Sequence, residues 1–486
     1  MIKKMFNYII SHVPESIFIK NILILMSGSF FVQCLAFMAS FFLARLYTPE
    51  EFGILSIYSA VLGILSVIVC GRYDQAVVLP EKEEDAKSIA FLAILISFCS
   101  ALAAIPLVIF FGNKLSAIIN SPQIASLMWL LPISLLAAGI YQTFDYWNSR
   151  RGKFKRMAAR QISQTSITLV SQLGFGLTVL PGHIGLIMGA FLGQISATIH
   201  LVFQTLNEEG KEFWRGIKLE VVKEQLLRYK RFPLYSSWAD LLNTGSSMMP
   251  LFLLGYFFTP EVIGYYSWGQ RLLAVPMGII GVSLSQVFFP RANQAKLDNN
   301  LDRFSLKVFS SLLELGFVPA MLFIIIAPDF FVLLFGEQWI ISGYYARWLC
   351  LWLLFQFVSS PISTIYLVME RQHILMIFNA VLLVLRLLSV IIGGILGSAM
   401  LTIILLGISG MFMYIVNAIL ILRQVGISLN IIIKEKFTII FKSMPYLIVP
   451  LLLYALDANT WVLISSIVLS LALKVILFGK KFSKLI

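Results

Sequence analysis

Residues 88–112 read SIAFLAILISFCSALAAIPLVIFFG, a run of 25 residues without a charged side chain. A helix rises about 1.5 Å per residue, so about 20 apolar residues cross the hydrocarbon core of a bilayer, which is about 30 Å thick. This run is therefore long enough to form a transmembrane helix. Fourteen such runs occur along the chain, and the thirteenth is the shortest. They cover residues 22–44, 52–71, 88–112, 125–147, 157–180, 184–206, 235–258, 262–290, 308–336, 340–368, 374–396, 400–422, 444–456 and 461–478.

The composition excludes a soluble protein. Of the 486 residues, 59% are hydrophobic and 13% are charged, whereas soluble chains average about 45–50% apolar and about 25% charged residues. We therefore expect an all-α polytopic membrane protein. The net charge of +13 comes from Lys and Arg in the loops between the apolar runs. It indicates membrane topology and predicts no nucleic-acid partner.

The chain shows no pattern typical of an enzyme, a metal site or a cofactor site. The four cysteines lie inside apolar runs without a CxxC spacing, and the four histidines are scattered without a ligand spacing. A Walker loop, a GxSxG motif and an HExxH motif are all missing from the sequence. We therefore expect no catalytic residues, no metal and no cofactor.

The distribution of basic residues predicts the orientation. If the N-terminus is cytoplasmic, the inner side collects 31 Lys and Arg, among them Lys3, Lys4 and Lys484 near the chain ends. The outer side receives only Arg45 and Lys114. Since cytoplasmic loops carry an excess of Lys and Arg, we expect both termini in the cytoplasm.

An internal repeat indicates how the helices are grouped. Residues 46–56, LYTPEEFGILS, align with residues 257–267, FFTPEVIGYYS, at an offset of 211. Thr48 and Thr259 are expected to cap the helices that follow, and Glu51 completes a capping box with Thr48. Chance recurrence of a common helix opener is the alternative, but both copies open the second helix of their lobe. The repeat predicts two six-helix lobes of the same orientation, as in parallel-repeat transporters.

We divide the chain accordingly into four parts. Residues 1–206 are expected to form the N-terminal lobe with helices 1–6, and residues 207–234 a cytoplasmic linker. Residues 235–422 would form the C-terminal lobe with helices 7–12. Residues 423–486 would form an extra helix pair and a cytoplasmic tail.

Polar residues recur at steps of three and four along three of the runs, which places them on one helix face. The stripes consist of Ser29, Gln33 and Ser40 in the first run, Gln161, Gln164, Thr168, Ser171 and Gln172 in the fifth, and Ser236, Ser237, Asp240, Asn243, Thr244 and Ser247 in the seventh. Isolated polar residues serve interhelical hydrogen bonds of roughly 0.6–2 kcal/mol. Stripes of this length favour a face that touches water, and we expect Gln33, Gln164 and Asn243 to contact a substrate.

Arg271, Arg347 and Arg386 lie inside predicted helices. An arginine at the middle of a bilayer costs about 2.5–3.5 kcal/mol even on the lenient insertion scale. Aromatic residues, including Tyr266, lie near these positions, and guanidinium groups bind phosphate oxygens in pairs while aromatic rings stack on sugars. The alternative is an aromatic belt with arginines that reach the outer headgroups. We expect the three arginines and Tyr266 to bind substrate.

Two acids within helices, Asp240 and Glu314, are candidate proton or sodium sites. Glu314 could equally reach the inner interface beside Lys307. Lys474, near the inner end of the last helix, is expected to extend its side chain to that interface.

Residues 44–86 resemble bacterial oligosaccharide flippases of the polysaccharide transport family, which includes the O-antigen flippases. The resemblance rests on the stretch RLYTPEEFG at residues 45–53, on GRYD at residues 71–74 and on LP at residues 79–80. The family belongs to the superfamily of multidrug, oligosaccharidyl-lipid and polysaccharide exporters. It implies transfer of an undecaprenyl-pyrophosphate oligosaccharide from the inner to the outer leaflet of the bacterial inner membrane, with membrane lipids and polymerase and chain-length proteins as partners.

Moving a sugar headgroup into hydrocarbon costs several kcal/mol of free energy for each hydroxyl that loses its water. The protein must therefore supply a hydrated passage. We expect the polar stripes to line it, Arg45, Arg271 and Arg347 to hold the pyrophosphate, and the two lobes to rock in alternating access. A cation-coupled multidrug or toxin extruder of the same superfamily is the main alternative, and it would favour acids over arginines. An O-antigen polymerase or ligase would need a large outer loop, and a scaffold would have no use for arginines inside the membrane.

Overall fold

The computed structural model describes residues 17–177, 182–214, 217–369, 371–456 and 458–483. Lys3, Lys4 and Lys484, on which part of the topology prediction rests, lie outside the described residues, as does the end of the predicted run 157–180. The described residues are helical apart from short turns and contain no strand.

Fourteen helices of 20 residues or more occur in the described part of the chain, and we number them in chain order. They are α1 Ile17–Leu46, α2 Pro49–Ile68, α3 Glu83–Ile118, α4 Leu131–Arg150, α5 Phe154–Leu177, α6 His183–Glu209, α7 Ser237–Phe257, α8 Pro260–Leu297, α9 Leu301–Phe335, α10 Ile340–Ile362, α11 Gln372–Ile395, α12 Ala399–Gln424, α13 Leu429–Ala455 and α14 Thr460–Ser483. Each predicted run overlaps one of them. Nine helical segments among the described residues are long and apolar enough to cross a membrane, so the chain is an all-helical, multi-span membrane protein.

The thirteenth helix is longer than the sequence predicts. The expected run covered residues 444–456, but α13 begins at Leu429 and incorporates much of the basic stretch assigned to a loop. Ile432 and Ile439 are buried on one face of this extension, while Lys434 is exposed on another. A search for uninterrupted apolar runs misses this extension of the helix, because its charged residues end the apolar run although the helix continues.

Both copies of the repeat begin a helix as predicted. Thr48 caps α2: its side chain accepts from the Glu51 backbone N–H, and the Glu51 carboxylate accepts from the Thr48 N–H at 2.7 Å. Thr259 precedes α8 with the same extended backbone, although its side chain forms no capping hydrogen bond. Since position 262 is Val, the second copy has no acid to complete a capping box.

Contacts divide the chain into two compact units, residues 1–255 and residues 256–486. The six-helix lobes with a separate linker at residues 207–234 stay a prediction. In the first unit α5 packs closely on α6 and on α1, and α4 packs on α3 and α6. Gly189 and Gly193 permit the close approach of α5 and α6, because a Cβ at Gly193 would overlap the Thr168 side chain.

The segment that follows α6 packs against the first unit. Phe213 is fully buried and stacks on Phe144 of α4, with 5.4 Å between ring centroids, and it meets the Trp147 ring edge-on at 4.9 Å. A short helix, Leu219–Arg228, then packs on α3. The Tyr73 hydroxyl donates to the Leu226 carbonyl at 2.9 Å, which fixes this helix to the turn after α2.

In the second unit α10 is the central helix, with α8, α9 and α12 packed against it, and α11 packs on α12. The last two helices, α13 and α14, pack on α9 and on each other. A buried apolar cluster that includes Val318, Leu322, Leu447 and Leu463 joins these three helices. The extra pair predicted at the end of the chain is therefore an integral part of the second unit.

Candidate functional site

The polar stripe of α5 serves two purposes. Gln172 is buried, its Nε2 donates to the Leu186 carbonyl at 2.9 Å, and its own carbonyl accepts from the Tyr47 hydroxyl at 2.6 Å. It therefore ties α5 to α6 and to the end of α1. Gln161, about three turns closer to the start of α5, accepts a hydrogen bond from Ser29 of α1 at 3.1 Å. This part of the stripe fits interhelical hydrogen bonding.

Gln164 belongs to a polar network around Arg160 that the sequence alone does not predict. Arg160 of α5 is 9% exposed, and its Nη2 lies 3.1 Å from Oδ1 of Asp145 on α4. Its Nη1 donates to the Tyr141 hydroxyl and to Oε1 of Gln164, the latter at 3.4 Å. Asp145 and Arg160 lie at similar distances from the turn between α4 and α5, so antiparallel packing places them at one depth. The similar spacing of Asp145 and Arg160 from this turn is the sequence feature that could have predicted their ion pair.

Arg45, Gln33 and Asn243 differ in their surroundings. Arg45 is exposed in the last turn of α1, a position that cations favour because helix carbonyls there are unpaired. Gln33 is half-buried on α1, and Asn243 is exposed on α7. Each of these three side chains is at least partly exposed at the surface of the protein.

Asp240, a predicted ion-coupling residue, is paired with a cation. Arg72 directs Nη2 to Oδ2 of Asp240 at 2.9 Å, and Gln75 donates to the same oxygen at 3.4 Å. Arg72 belongs to the GRYD stretch, so these contacts join the turn after α2 to the start of α7. The sequence alone gave no sign of this pair, because its members lie 168 positions apart.

Arg271 is exposed on α8, with its guanidinium 5.5 Å from the centroid of the Trp268 ring. Trp268 is itself buried and stacks on Trp339, with 4.8 Å between centroids. A stacked indole pair thus forms a rigid support for one face of the guanidinium.

Arg386 and Tyr266, both predicted to bind substrate, are near neighbours in the second unit. Arg386 of α11 lies over the Trp352 ring of α10 at 4.7 Å. Tyr266 of α8 and Tyr414 of α12 are close enough to interact with its charge. Tyr266 is 1% exposed, so its ring lies inside the second unit.

Arg347 contacts the extra helix pair. Its Nη2 donates to the Ile325 carbonyl of α9 at 3.1 Å and to the Tyr454 hydroxyl of α13 at 3.3 Å. The rings of Tyr344 and Tyr454 both lie 5.7 Å from its guanidinium. Tyr344 lies three positions before Arg347 in the sequence, whereas Tyr454 lies 107 residues after it, so the sequence alone does not indicate this second contact.

Glu314, the second predicted ion-coupling residue, faces Lys474 of α14, with 3.9 Å between Oε1 and Nζ. Lys474 is 8% exposed, and its ammonium lies 5.2 Å from the Tyr446 ring of α13. The expectation that Lys474 extends to the interface is therefore wrong. A half-buried acid and an aromatic ring hold its charge within the second unit.

The charges of Arg271, Arg347 and Arg386 form no ion pair with a carboxylate among the residues that the structure describes. Each instead contacts an aromatic ring, which stabilises a cation without neutralising it. Such guanidinium groups can still bind an anion, and a diphosphate suits their paired donors. The described residues contain no group of three His, Cys, Asp or Glu side chains that could hold a metal ion.

Sequence comparisons relate the chain to membrane proteins of polysaccharide synthesis. It is 23% identical to an uncharacterized membrane protein in the cps region of Klebsiella pneumoniae, over 73% of the chain and 72% of that protein. It is 25% identical to the lipopolysaccharide biosynthesis protein WzxC of Escherichia coli, over 58% of the chain and 56% of WzxC. It is 21% identical to the succinoglycan biosynthesis transport protein ExoT of Rhizobium meliloti, over 61% of the chain and 58% of ExoT.

Two solved structures share the fold. The lipid II flippase MurJ in an inward closed conformation matches with a TM-score of 0.69 and 14% identity, over 94% of this chain and 99% of MurJ. An inward-facing MATE family multidrug resistance transporter of the MOP superfamily matches with a TM-score of 0.60 and 14% identity, over 81% and 94%. Residues 42–342 match the family described as polysaccharide biosynthesis protein. This segment makes up more than half of the sequence, so the chain belongs to the polysaccharide biosynthesis protein family.

Proposed function

We propose that this protein is a flippase for an oligosaccharide linked to undecaprenyl pyrophosphate, such as an O-antigen repeat unit. It would move this lipid from the inner to the outer leaflet of a bacterial plasma membrane. The family, the names of WzxC and ExoT and the MurJ-like fold support this assignment. The observation that carries it is the set of helix arginines that contact aromatic rings rather than carboxylates.

The residues are assigned roles from their chemistry. Arg271, Arg347 and Arg386, together with Arg45, would bind the diphosphate, since guanidinium donors match its oxygens. Gln33, Gln164 and Asn243 would replace water at sugar hydroxyls, which are costly to bury unpaired. Tyr266 would hold Arg386 in place from the interior of the second unit.

We propose that all fourteen long helices cross the membrane, with both termini in the cytoplasm, and that transport proceeds by alternating access. Because the cell interior is negative, outward movement of an anion releases about 2.3 kcal/mol per charge per 100 mV. Asp240 and Glu314 already neutralise Arg72 and Lys474. The membrane potential is therefore the main driving force in this proposal, with exchange of H⁺ or Na⁺ as an addition.

A cation-coupled multidrug extruder is the second candidate, favoured by the fold shared with the MATE family transporter. A deletion strain distinguishes the two. A flippase predicts loss of surface polysaccharide and accumulation of the lipid-linked oligosaccharide, with unchanged drug susceptibility. Increased drug susceptibility with normal surface polysaccharide would reject the flippase and support the extruder. Re-expression of the wild-type chain should restore the polysaccharide.

A further inference from the structure

Asp74 lies in the turn after α2 and plays no part in the function proposed above. It belongs to the short helix Tyr73–Ala76 and is 0% exposed. No side chain among the described residues donates a hydrogen bond to either carboxylate oxygen, and the backbone N–H groups of Asp74 and Gln75 lie near them. Buried carboxylates in folded proteins are ordinarily paired, because an isolated buried charge loses its hydration without compensation. A fully buried acid without a side-chain hydrogen bond therefore suggests a functional role.

The Arg72 guanidinium is paired with Asp240 and also interacts with the charge of Asp74. Arg72 lies two residues before Asp74, and its Nη2 binds Asp240 at 2.9 Å while its buried Nε has no partner in the described part of the chain. The cluster thus contains two carboxylates and one cation. The set is neutral when it holds one extra proton, and the fully buried Asp74 is more poorly solvated than Asp240, whose side chain is 38% exposed.

The backbone holds this arrangement in place. Gly71 and Arg72 both have positive φ, 56° and 59°, and the left-handed region is unfavourable for an arginine. Tyr73 donates to the Leu226 carbonyl at 2.9 Å, and Arg150 of α4 donates to the Val78 carbonyl at 3.1 Å. Contacts on both sides of the turn therefore keep Arg72 in an unfavourable conformation beside the two acids.

The other titratable groups that face Asp74 are the Tyr146 hydroxyl of α4 and the Cys70 thiol, and both are uncharged at neutral pH. Burial raises the pKa of Asp74 to about 6. The Arg72 guanidinium and nearby backbone N–H groups lower this pKa, and the Asp240 carboxylate raises it. Protonation of the cluster consequently falls within the pH range of a bacterial cell and its surroundings.

We propose that Asp74 is a proton-binding residue whose deprotonation draws Arg72 away from Asp240. The proton passes between water and a carboxylate oxygen, and no other bond changes. With Asp74 neutral, Arg72 holds Asp240 and ties the turn after α2 to α7. When Asp74 is ionised, the Arg72 guanidinium is shared between Asp74 and Asp240. The contact between the turn after α2 and α7 then weakens. Its use in a transport cycle rests on the proposed function, whereas proton binding itself does not.

Infrared titration of the full-length protein in lipid nanodiscs, from about pH 4 to about pH 8, tests proton binding by the carbonyl band of a protonated carboxyl group. The wild type should show a band that disappears with a midpoint near pH 6. Asp74→Asn should lack this band. Glu81→Gln, which neutralises an exposed acid in the same turn, should keep it.

Two neighbouring variants test the shared guanidinium. Asp240→Asn removes a negative charge and should lower the midpoint, whereas Arg72→Gln removes a positive charge and should raise it. These shifts remain measurable if Asp74→Asn does not fold. A band that persists in Asp74→Asn, or a midpoint that neither variant moves, would overturn the proposal. Absence of lipid transport by a wild type that titrates normally would instead reject the proposed function alone.

Discussion

At the scale of single residues, the arginines of the second unit show how a membrane protein keeps a charge available. A carboxylate would neutralise Arg271 or Arg386, and lipid would destabilise it. The structure instead places an indole ring beside each guanidinium, at 5.5 Å and 4.7 Å. An aromatic ring stabilises a cation by roughly 0.5–2 kcal/mol and leaves its N–H donors usable. These side chains therefore remain able to bind a phosphate group.

Replacing Arg271 should weaken substrate binding. Hydrogen bonds to charged groups contribute about 1.5–3 kcal/mol each, so we expect Arg271→Ala to bind the undecaprenyl-pyrophosphate oligosaccharide roughly 10–100-fold more weakly. Arg271→Lys should recover only part of the affinity, because an ammonium lacks the paired donors. The measurement is lipid binding to purified protein. Arg303→Ala, at an exposed position of α9, is the control, and equal losses in both alanine variants would contradict the assignment.

At the scale of the helices, the length of the apolar runs predicted where the helices lie, but the sequence did not predict which neighbouring helix each residue faces. All fourteen runs correspond to long helices, because the length required to cross a bilayer leaves a strong pattern. The start of α13 was missed because amphipathic turns carry charges. The partners of Arg347 and Lys474 were missed because a sequence gives the depth of a residue within a helix bundle, but not the helix that it faces.

Close helix packing predicts how the addition of a single methyl group, by a Gly→Ala substitution, changes stability. A Cβ at Gly343 of α10 would lie 2.5 Å from the Pro328 Cα of α9, whereas a Cβ at Gly63 of α2 would meet nothing within 4 Å. Gly343→Ala should therefore lower the free energy of unfolding by about 1–3 kcal/mol through overpacking. Gly63→Ala should leave it unchanged or raise it by up to about 1 kcal/mol, since Ala favours helix. Thermal unfolding in detergent measures both, and similar melting temperatures would disagree with the packing described.

At the scale of the whole molecule, the sequence already indicated a multi-span membrane protein of polysaccharide export, and the family match confirms the resemblance found at residues 44–86. The polar stripes were less successful in predicting which residues face a hydrated passage. Gln172 joins helices, Gln164 binds Arg160, and Asp240 binds Arg72. Helical periodicity cannot separate a residue that faces water from one that faces a polar partner, because both interrupt an apolar face in the same way.

Transport by the purified protein tests the central claim most directly. The full-length chain is reconstituted into liposomes that contain the undecaprenyl-pyrophosphate oligosaccharide, and a glycosidase added outside measures how much of the sugar it can reach over time. Wild-type protein should expose the sugar of the inner leaflet far faster than empty liposomes do, and Arg271→Ala should lose most of this acceleration while Arg303→Ala keeps it. If correctly folded wild-type protein exposes the sugar no faster than empty liposomes, the protein is not a flippase for this lipid.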